Sequence, residues 1–264
     1  MVLITGAAGG LGRAMAMECA RRGFSLFLTD RDAEGLTRIE RGVSLAHGVK
    51  VFTFACDLTD GGEVEALFEA IGQTGEPPDM LCNVAGVDFE GGFLERDSAR
   101  LLSIVRLNVE ATLLVTHAAL ARRSPGGGFT IITVCSLASV CPMPLKATYA
   151  ASKRFLLDFS IALGQELKHD NVRVLALCPG GMPTTESALS GIDAQGFWGR
   201  ITSNSLGTIA RNTIDRALAG KRVYVPGVVN RVLSAFSRIV PPVLAARLLH
   251  RRWAAAQKKW LTNA

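Results

Sequence analysis

The chain predicts an α/β fold: a doubly wound parallel sheet of about seven strands, helices on both faces, and a helical extension at the C-terminal end. Three observations carry this expectation. Short apolar runs alternate with helical patterns along residues 1–226, the order that builds a parallel sheet. The first run, Met1-Val2-Leu3-Ile4, leads through Thr5-Gly6-Ala7-Ala8-Gly9-Gly10-Leu11-Gly12 into a helix. The chemistry-bearing residues described below fall at strand ends or just past them, where open α/β sheets bind ligands.

Taken in order, strands are expected at Val2–Thr5, Ser25–Asp30, Val49–Ala55, Met80–Asn83, Phe129–Val134, Val172–Cys178 and Arg222–Val225. Short apolar runs suit strands buried on both faces. The helix after the first strand covers Leu11 to Arg22, and Gly23 supplies its stop. Further helical patterns lie at Glu63–Ile71, Arg100–Ala121 and Tyr149–Leu167, and Ser124-Pro125-Gly126-Gly127-Gly128 reads as an exposed loop. Residues 1–226 make the main domain. Residues 227–264 form a basic amphipathic tail, either part of that domain or a peripheral extension.

The glycine segment reads as a dinucleotide-binding loop, with an ordinary turn between strand and helix as the alternative. Glycines let backbone approach a pyrophosphate, and the helix N-terminus offers it amide donors. The spacing is G-x-x-x-G-x-G rather than the commoner G-x-G-x-x-G. Downstream, Tyr149 and Lys153 stand four residues apart on one helical face. A free phenol keeps its proton until about pH 10, and a neighbouring ammonium lowers that value. The pair is therefore a candidate proton donor and acceptor for a carbonyl or an alcohol. Ser136, thirteen positions upstream of Tyr149, adds a hydrogen-bond donor.

With these motifs in order, residues 1–226 resemble the short-chain dehydrogenase/reductase family, which implies a Rossmann-like fold. Thr5-Gly6-x-x-x-Gly10-x-Gly12 is similar to its cofactor loop, and Asp57-Leu58 to its adenine-contacting pair. Asn83-Val84-Ala85-Gly86 is similar to its N-N-A-G segment, with Val84 departing from the second asparagine. Asn108 sits where the family has a catalytic asparagine. Ser136, Tyr149 and Lys153 match its active-site residues, and Pro179-Gly180-x-x-x-Thr184 matches the segment beside the nicotinamide. The resemblance implies an NAD(P)-dependent oxidoreductase that interconverts a secondary alcohol and a ketone. Tyr149 would be the general acid/base, Lys153 would hold the nicotinamide ribose, and Ser136 would bond the substrate oxygen. Asn108 would support a proton-carrying water, and Thr184 would contact the carboxamide. Some relatives bind a dinucleotide as sensors or scaffolds instead, usually with catalytic residues lost. Here those residues are present.

Asp30 bears on cofactor choice. It closes the second strand eighteen residues after Gly12, where an acid can bind the adenine ribose hydroxyls and repel a 2′-phosphate. Arg31 follows and could bind that phosphate. Gly9 precedes Gly10 where NADP-using relatives often carry a basic residue. NAD is favoured, with NADP left open. For the substrate, Glu186 to Asn204 falls where the family places a mobile cover. Its Leu189, Ile192, Phe197 and Trp198 point to an apolar alcohol or ketone, with a packed helix pair as the alternative.

Composition narrows the remaining classes. The strand beginning at Val2 is expected to leave no room for a signal peptide, and no apolar run is expected to reach the roughly 18 residues that span a bilayer. The six cysteines form no C-x-x-C, and the four histidines show no ligand spacing. They predict a reduced, cytoplasmic protein with no metal site. The net charge of +6 resides in the tail: residues 221–264 hold nine Lys/Arg and no acid, against 20 basic and 23 acidic residues elsewhere. Nucleic-acid binding is therefore not expected of the main domain. Val228, Val229, Val232, Leu233, Phe236 and Ile239 recur at near-helical spacing. After Pro241-Pro242 the pattern resumes with Leu244, Leu248, Leu249, Trp253 and Trp260. Packing against the main domain or a twin subunit is the favoured reading of this stripe. Contact with an anionic membrane is the second, and nucleic acid the third. The family habit implies a homodimer or homotetramer.

Overall fold

A computed structural model describes residues 1–89, 91–182, 205–237 and 239–261, with side chains to Arg251. Thr184, Phe197 and Trp198, and the tail residues Arg238, Trp253 and Trp260, lie outside this description. Seven parallel strands form one sheet in the order β3-β2-β1-β4-β5-β6-β7. They are β1 Val2–Thr5, β2 Leu26–Asp30, β3 Val51–Ala55, β4 Met80–Asn83, β5 Phe129–Val134, β6 Val172–Leu177 and β7 Val223–Tyr224. All seven fall inside the predicted segments. The trimmed residues lie at strand ends, where Ser25, Lys50, Cys178 and Arg222 each still bond the neighbouring strand through one backbone group.

Alternation along each strand splits the core into two layers. Val2 and Ile4 of β1, with Leu26 and Leu28 of β2, face Leu11, Met15 and Cys19 of helix α1 (Gly10–Arg21). The same layer takes Ile209, Ala210 and Ile214 of helix α7 (Leu206–Leu218). Leu3, Phe27, Leu81 and Ile131 face the other way. They meet Leu67, Phe68 and Ile71 of α3 (Gly61–Gln73) and Ala111, Val115 and Ala119 of α5 (Ala111–Ala121). Each fully buried Leu or Ile contributes about 1.5–3 kcal/mol of transfer free energy, so both faces of every inner strand must be covered. Helix α2 (Ala33–His47) starts at Asp32, whose carboxylate accepts from the Gly35 amide at 2.9 Å.

The helix expected over Arg100–Ala121 is interrupted. Helix α4 (Ser98–Val105) passes through a wide π-type turn, Arg106–Glu110, into α5. Such turns cluster at functional sites, and this one carries Asn108. The stretch 98–121 is long and apolar enough to cross a membrane by length and composition, although no uninterrupted apolar run announces it. Ile104, Asn108, Ala111, Thr112, Val115, Thr116 and Ala119 are buried along it, as in a core helix. Helix α6 (Ala147–Glu166) brings Tyr149 and Lys153 to the sheet.

The tail forms helices α8 (Val228–Ser237) and α9 (Pro242–Leu261). Here the structure corrects one half of the favoured reading: within the chain, the apolar stripe of α8 is not packed on the main domain. Within the chain, Asn230 and Ser234 are the buried residues of α8, while Val228, Val232, Leu233 and Phe236 are exposed. The Asn230 amide donates to the carbonyl of Pro226 at 2.8 Å, a local bond at the start of the helix.

Candidate active site

The strand order reverses between β1 and β4, which opens a crevice at their carboxyl ends. Thr5, at the end of β1, ties the two rims together. Its hydroxyl accepts from the amides of Val84 at 3.1 Å and Ala85 at 3.2 Å. Gly6 sits at φ 64°, and a Cβ there would come within 2.8 Å of the Ala85 backbone. At Gly12 a Cβ would lie 2.1 Å from the Gly6 carbonyl oxygen. These two glycines are demanded by close backbone approach. Gly9 differs: it is exposed, and a Cβ there would meet one atom, the Gly6 oxygen at 3.4 Å. It caps α1 without a side-chain acceptor, so the amides that follow, from Gly10 on, lack a side-chain partner. An anionic pyrophosphate fits that chemistry. Leu11 turns its side chain into the core, so only its backbone is available to a ligand.

The adenosine end carries acids. The Asp30 carboxylate accepts from the amides of Ala8 at 3.0 Å and Asp32 at 3.1 Å, which fixes it against the glycine loop. Asp57 accepts from the Thr59 hydroxyl and amide, and these hold its carboxyl below the ordinary range; Arg31 adds to the effect. Leu58 is buried. Asn83 spends its amide on the Thr116 hydroxyl at 2.9 Å, which anchors β4 to α5. Gly86 is exposed, and a Cβ there would come 2.9 Å from Asn108 Oδ1 and 3.1 Å from Lys153 Nζ.

Asn108 is fully buried in the π-type turn. Its Oδ1 accepts from the Val87 amide at 2.9 Å, and its Nδ2 donates to the Val87 carbonyl at 3.0 Å and to Ser152 Oγ at 3.1 Å. Ser152 in turn donates to the Tyr149 carbonyl at 2.8 Å. Ser152 was not singled out from sequence. The available signal was its position three residues after Tyr149, on the same helical face.

Ser136 follows β5, and its Oγ accepts from the Ala138 amide at 3.1 Å. The next residue, Leu137, donates to the Pro179 carbonyl at 2.7 Å, so the Ser136 turn and the Pro179-Gly180 segment after β6 are held together. Ser136 lies near enough to the Tyr149 phenol to act on its ionisation. Two lysines flank the Tyr149 ring: Lys146 Nζ at 5.6 Å from its centroid and Lys153 Nζ at 5.9 Å. Lys146 pairs with Asp88, and Gly91 donates to the Leu145 carbonyl at 2.9 Å. This second lysine was also missed, because nothing in its spacing separates it from a solvated surface charge.

The electrostatics differ from the expectation that Lys153 lowers the Tyr149 pKa. Burial, and then the Asp88 carboxylate, push the phenol up to about 12; Ser136 and Lys146 oppose that shift without overcoming it. Burial also holds the Lys153 ammonium below its usual value. Its Nζ donates to the Val134 carbonyl at 2.9 Å, so its first partner is the sheet.

A glycine-turn crevice at a sheet reversal, with Ser136, Tyr149 and Lys153 on its wall, defines a nicotinamide-dinucleotide oxidoreductase class of site. The short chain dehydrogenase family model matches residues 1–191, and this chain belongs to that family. A sulfoacetaldehyde reductase 2 of Chromohalobacter salexigens is 34% identical over 191 residues, covering 72% of this chain and 75% of that one. A very-long-chain 3-oxoacyl-CoA reductase of Laccaria bicolor is 32% identical over 176 residues, 65% of this chain and 52% of that one. The chain thus spans about half the length of several curated relatives it matches. Among solved structures, a short-chain dehydrogenase from Sphingobium yanoikuyae in complex with NADPH superposes with a TM-score of 0.73 at 26% identity, covering 86% of this chain and 87% of that one.

Proposed function

We propose that this protein interconverts a secondary alcohol and a ketone, with Tyr149 as general acid/base. The observation that carries the reading is the convergence of Ser136, Tyr149, Lys153 and Asn108 on one crevice. NAD(P) supplies or takes the hydride when bound. Gly9, Gly10, the Leu11 amide, Asp30, Arg31, Asp57, Leu58, Ala85, Gly86, Pro179, Gly180 and Thr184 are the proposed cofactor contacts; Gly6 and Asn83 support the loops around it. Tyr149 Oη gives a proton to the carbonyl oxygen in reduction and takes it back in oxidation. Ser136 donates to the same oxygen, where negative charge develops. Asn108 holds the Val87 backbone and Ser152, and so the start of α6, in register, and supports the water that carries protons past Lys153.

NAD is the proposed preference, because Asp30 is pinned beside the loop and Arg31 stands in the field of Asp57. The Sphingobium neighbour holds NADPH, which makes the comparison worth measuring. The substrate is proposed to be apolar, on Leu189, Ile192, Phe197 and Trp198. Self-association is proposed through exposed Leu102, Val105, Leu114, Phe155 and Ile161 on α4, α5 and α6; light scattering on the eluting protein reads the subunit number directly.

The test is a panel of secondary alcohols and ketones with NAD(H) and NADP(H), followed by reduced-nicotinamide absorbance. Turnover lost by orders of magnitude in Tyr149→Phe, with cofactor binding kept, supports the reading; near-normal kcat removes Tyr149 from the role. A higher kcat/KM with NADPH than with NADH overturns the cofactor preference. Binding without turnover across the panel would instead favour a dinucleotide sensor.

A further inference from the structure

Helix α8 is amphipathic with its polarity reversed. Val228, Val232 and Phe236 recur every four residues, one stripe down the helix, and all three are more than 60% exposed. Asn230 and Ser234, on the opposite side, are the buried pair. Ile239 continues the apolar line past the helix end at 81% exposure, and Val243, Leu244 and Leu248 of α9 are exposed as well. A surface helix ordinarily buries its apolar stripe. A contiguous exposed apolar run of this kind marks an interaction site.

The surrounding charge selects the partner. Arg231, Arg247 and Arg251 are exposed among these apolar residues. The whole span 221–264 holds nine Lys/Arg and no Asp or Glu. A second copy docking tail to tail would bring like charge against like charge, which costs affinity. An anionic bilayer answers both features: its acyl boundary takes the apolar stripe, and its headgroups attract the arginines. We propose that α8 and the start of α9 dock this protein on an anionic membrane surface. In this arrangement α8 and the start of α9 lie along the bilayer surface. Helix α8 packs on the 137–140 turn directly after Ser136 through the side opposite the docked stripe, so one helix would separate the bilayer from that turn.

The proposal is read by sedimentation, not turnover, so its outcome is independent of the proposed reaction. The full chain is spun with vesicles of phosphatidylcholine alone and of phosphatidylcholine with phosphatidylglycerol, at low and high salt. Binding to the anionic vesicles should exceed binding to the neutral ones and weaken as salt rises. Arg231→Gln and Arg247→Gln should each reduce partition about fivefold. Val232→Asp with Phe236→Asp should abolish it; both positions are exposed, so circular dichroism and the melting temperature should stay at wild-type values. Equal sedimentation with and without anionic lipid overturns the proposal. So does loss of a dimer in the Val232/Phe236 variant when the parent ignores both vesicle types, which would make this face a self-interface.

Discussion

Lys153 Nζ donates to the Val134 carbonyl oxygen at 2.9 Å, and this bond clamps α6 to the end of the strand that delivers Ser136. The lysine thereby has a positional duty separate from any effect on Tyr149. Lys153→Met should keep the fold and raise KM for cofactor along with a large loss of kcat. Lys153→Arg should recover little of either, because a planar guanidinium does not fit a buried ammonium's place. Steady-state kinetics of both variants, with melting temperatures as the control, checks this.

Tyr149 should stay protonated well above pH 10 in the protein alone. Its phenol is pushed up to about 12, chiefly by burial and then by Asp88. The chain has two tyrosines, so the ultraviolet phenolate difference between wild type and Tyr149→Phe isolates this group. Asp88→Asn should move the ionisation to lower pH, and Lys146→Met to higher pH. If Tyr149 is the proposed general acid/base, activity in the oxidative direction should rise with pH through the neutral range and reduction should not.

Asn108 is the keystone of a buried polar cluster. Replacing it with Leu would strand the Val87 amide and carbonyl and remove a partner of Ser152. A buried unsatisfied polar group costs about 1–3 kcal/mol. The variant should therefore melt lower by an amount in that range and lose turnover as well. Ser152→Ala should lose less stability, because Asn108 keeps both bonds to Val87.

Much of this was legible before any coordinates. All seven strands came from apolar runs and turn residues, because a parallel sheet buried on both faces leaves a dense local signal. That Tyr149, Lys153 and Ser136 come together is legible because helical spacing and order along the chain are local properties. What stayed hidden depends on distant partners. The break at Arg106–Glu110 has no glycine or proline to announce it; its register follows from Asn108 reaching Val87 across 21 residues. The reversed face of α8 is not legible, since periodicity gives a stripe but not the direction it faces. Lys146 and Ser152 acquire roles only once α6 and the 87–91 segment are packed together.

The glycine loop offers a separation of fold from ligand. At Gly12 an added methyl would be driven into the Gly6 carbonyl at 2.1 Å, backbone that cannot yield, so Gly12→Ala should cost several kcal/mol and populate little folded protein. At Gly9 the same methyl meets ordinary contact at 3.4 Å and projects from an exposed position at the start of α1. Gly9→Ala should keep the wild-type melting temperature within about 0.5 kcal/mol of stability yet weaken cofactor binding, because the proposed pyrophosphate site takes that space. Fluorescence titration with NADH beside thermal melting resolves the two effects; a Gly9 variant that binds NADH normally would move the pyrophosphate away from this turn.

Acid stability should hinge on Glu18. Its carboxylate, largely buried in α1, is bonded by Arg21 at 2.7 Å and by Arg22 at 2.6 Å, and Arg22 reaches on to Asp215 of α7 at 2.8 Å. Those pairs, led by Arg21, lower its pKa to about 2 from 4.5. A carboxyl whose folded pKa is depressed binds fewer protons when folded than when unfolded. Its stabilisation is therefore complete above pH 4.5 and drains away as the pH falls towards 2. The arginines are partly in water, so screening reduces the full shift to about 1–2 kcal/mol. Glu18→Gln should be less stable than wild type by that amount at pH 7 and equal to it near pH 2. Denaturant melts at both pH values give the comparison; a constant difference across the range would mean that packing, not charge, is what Glu18 contributes between α1 and α7.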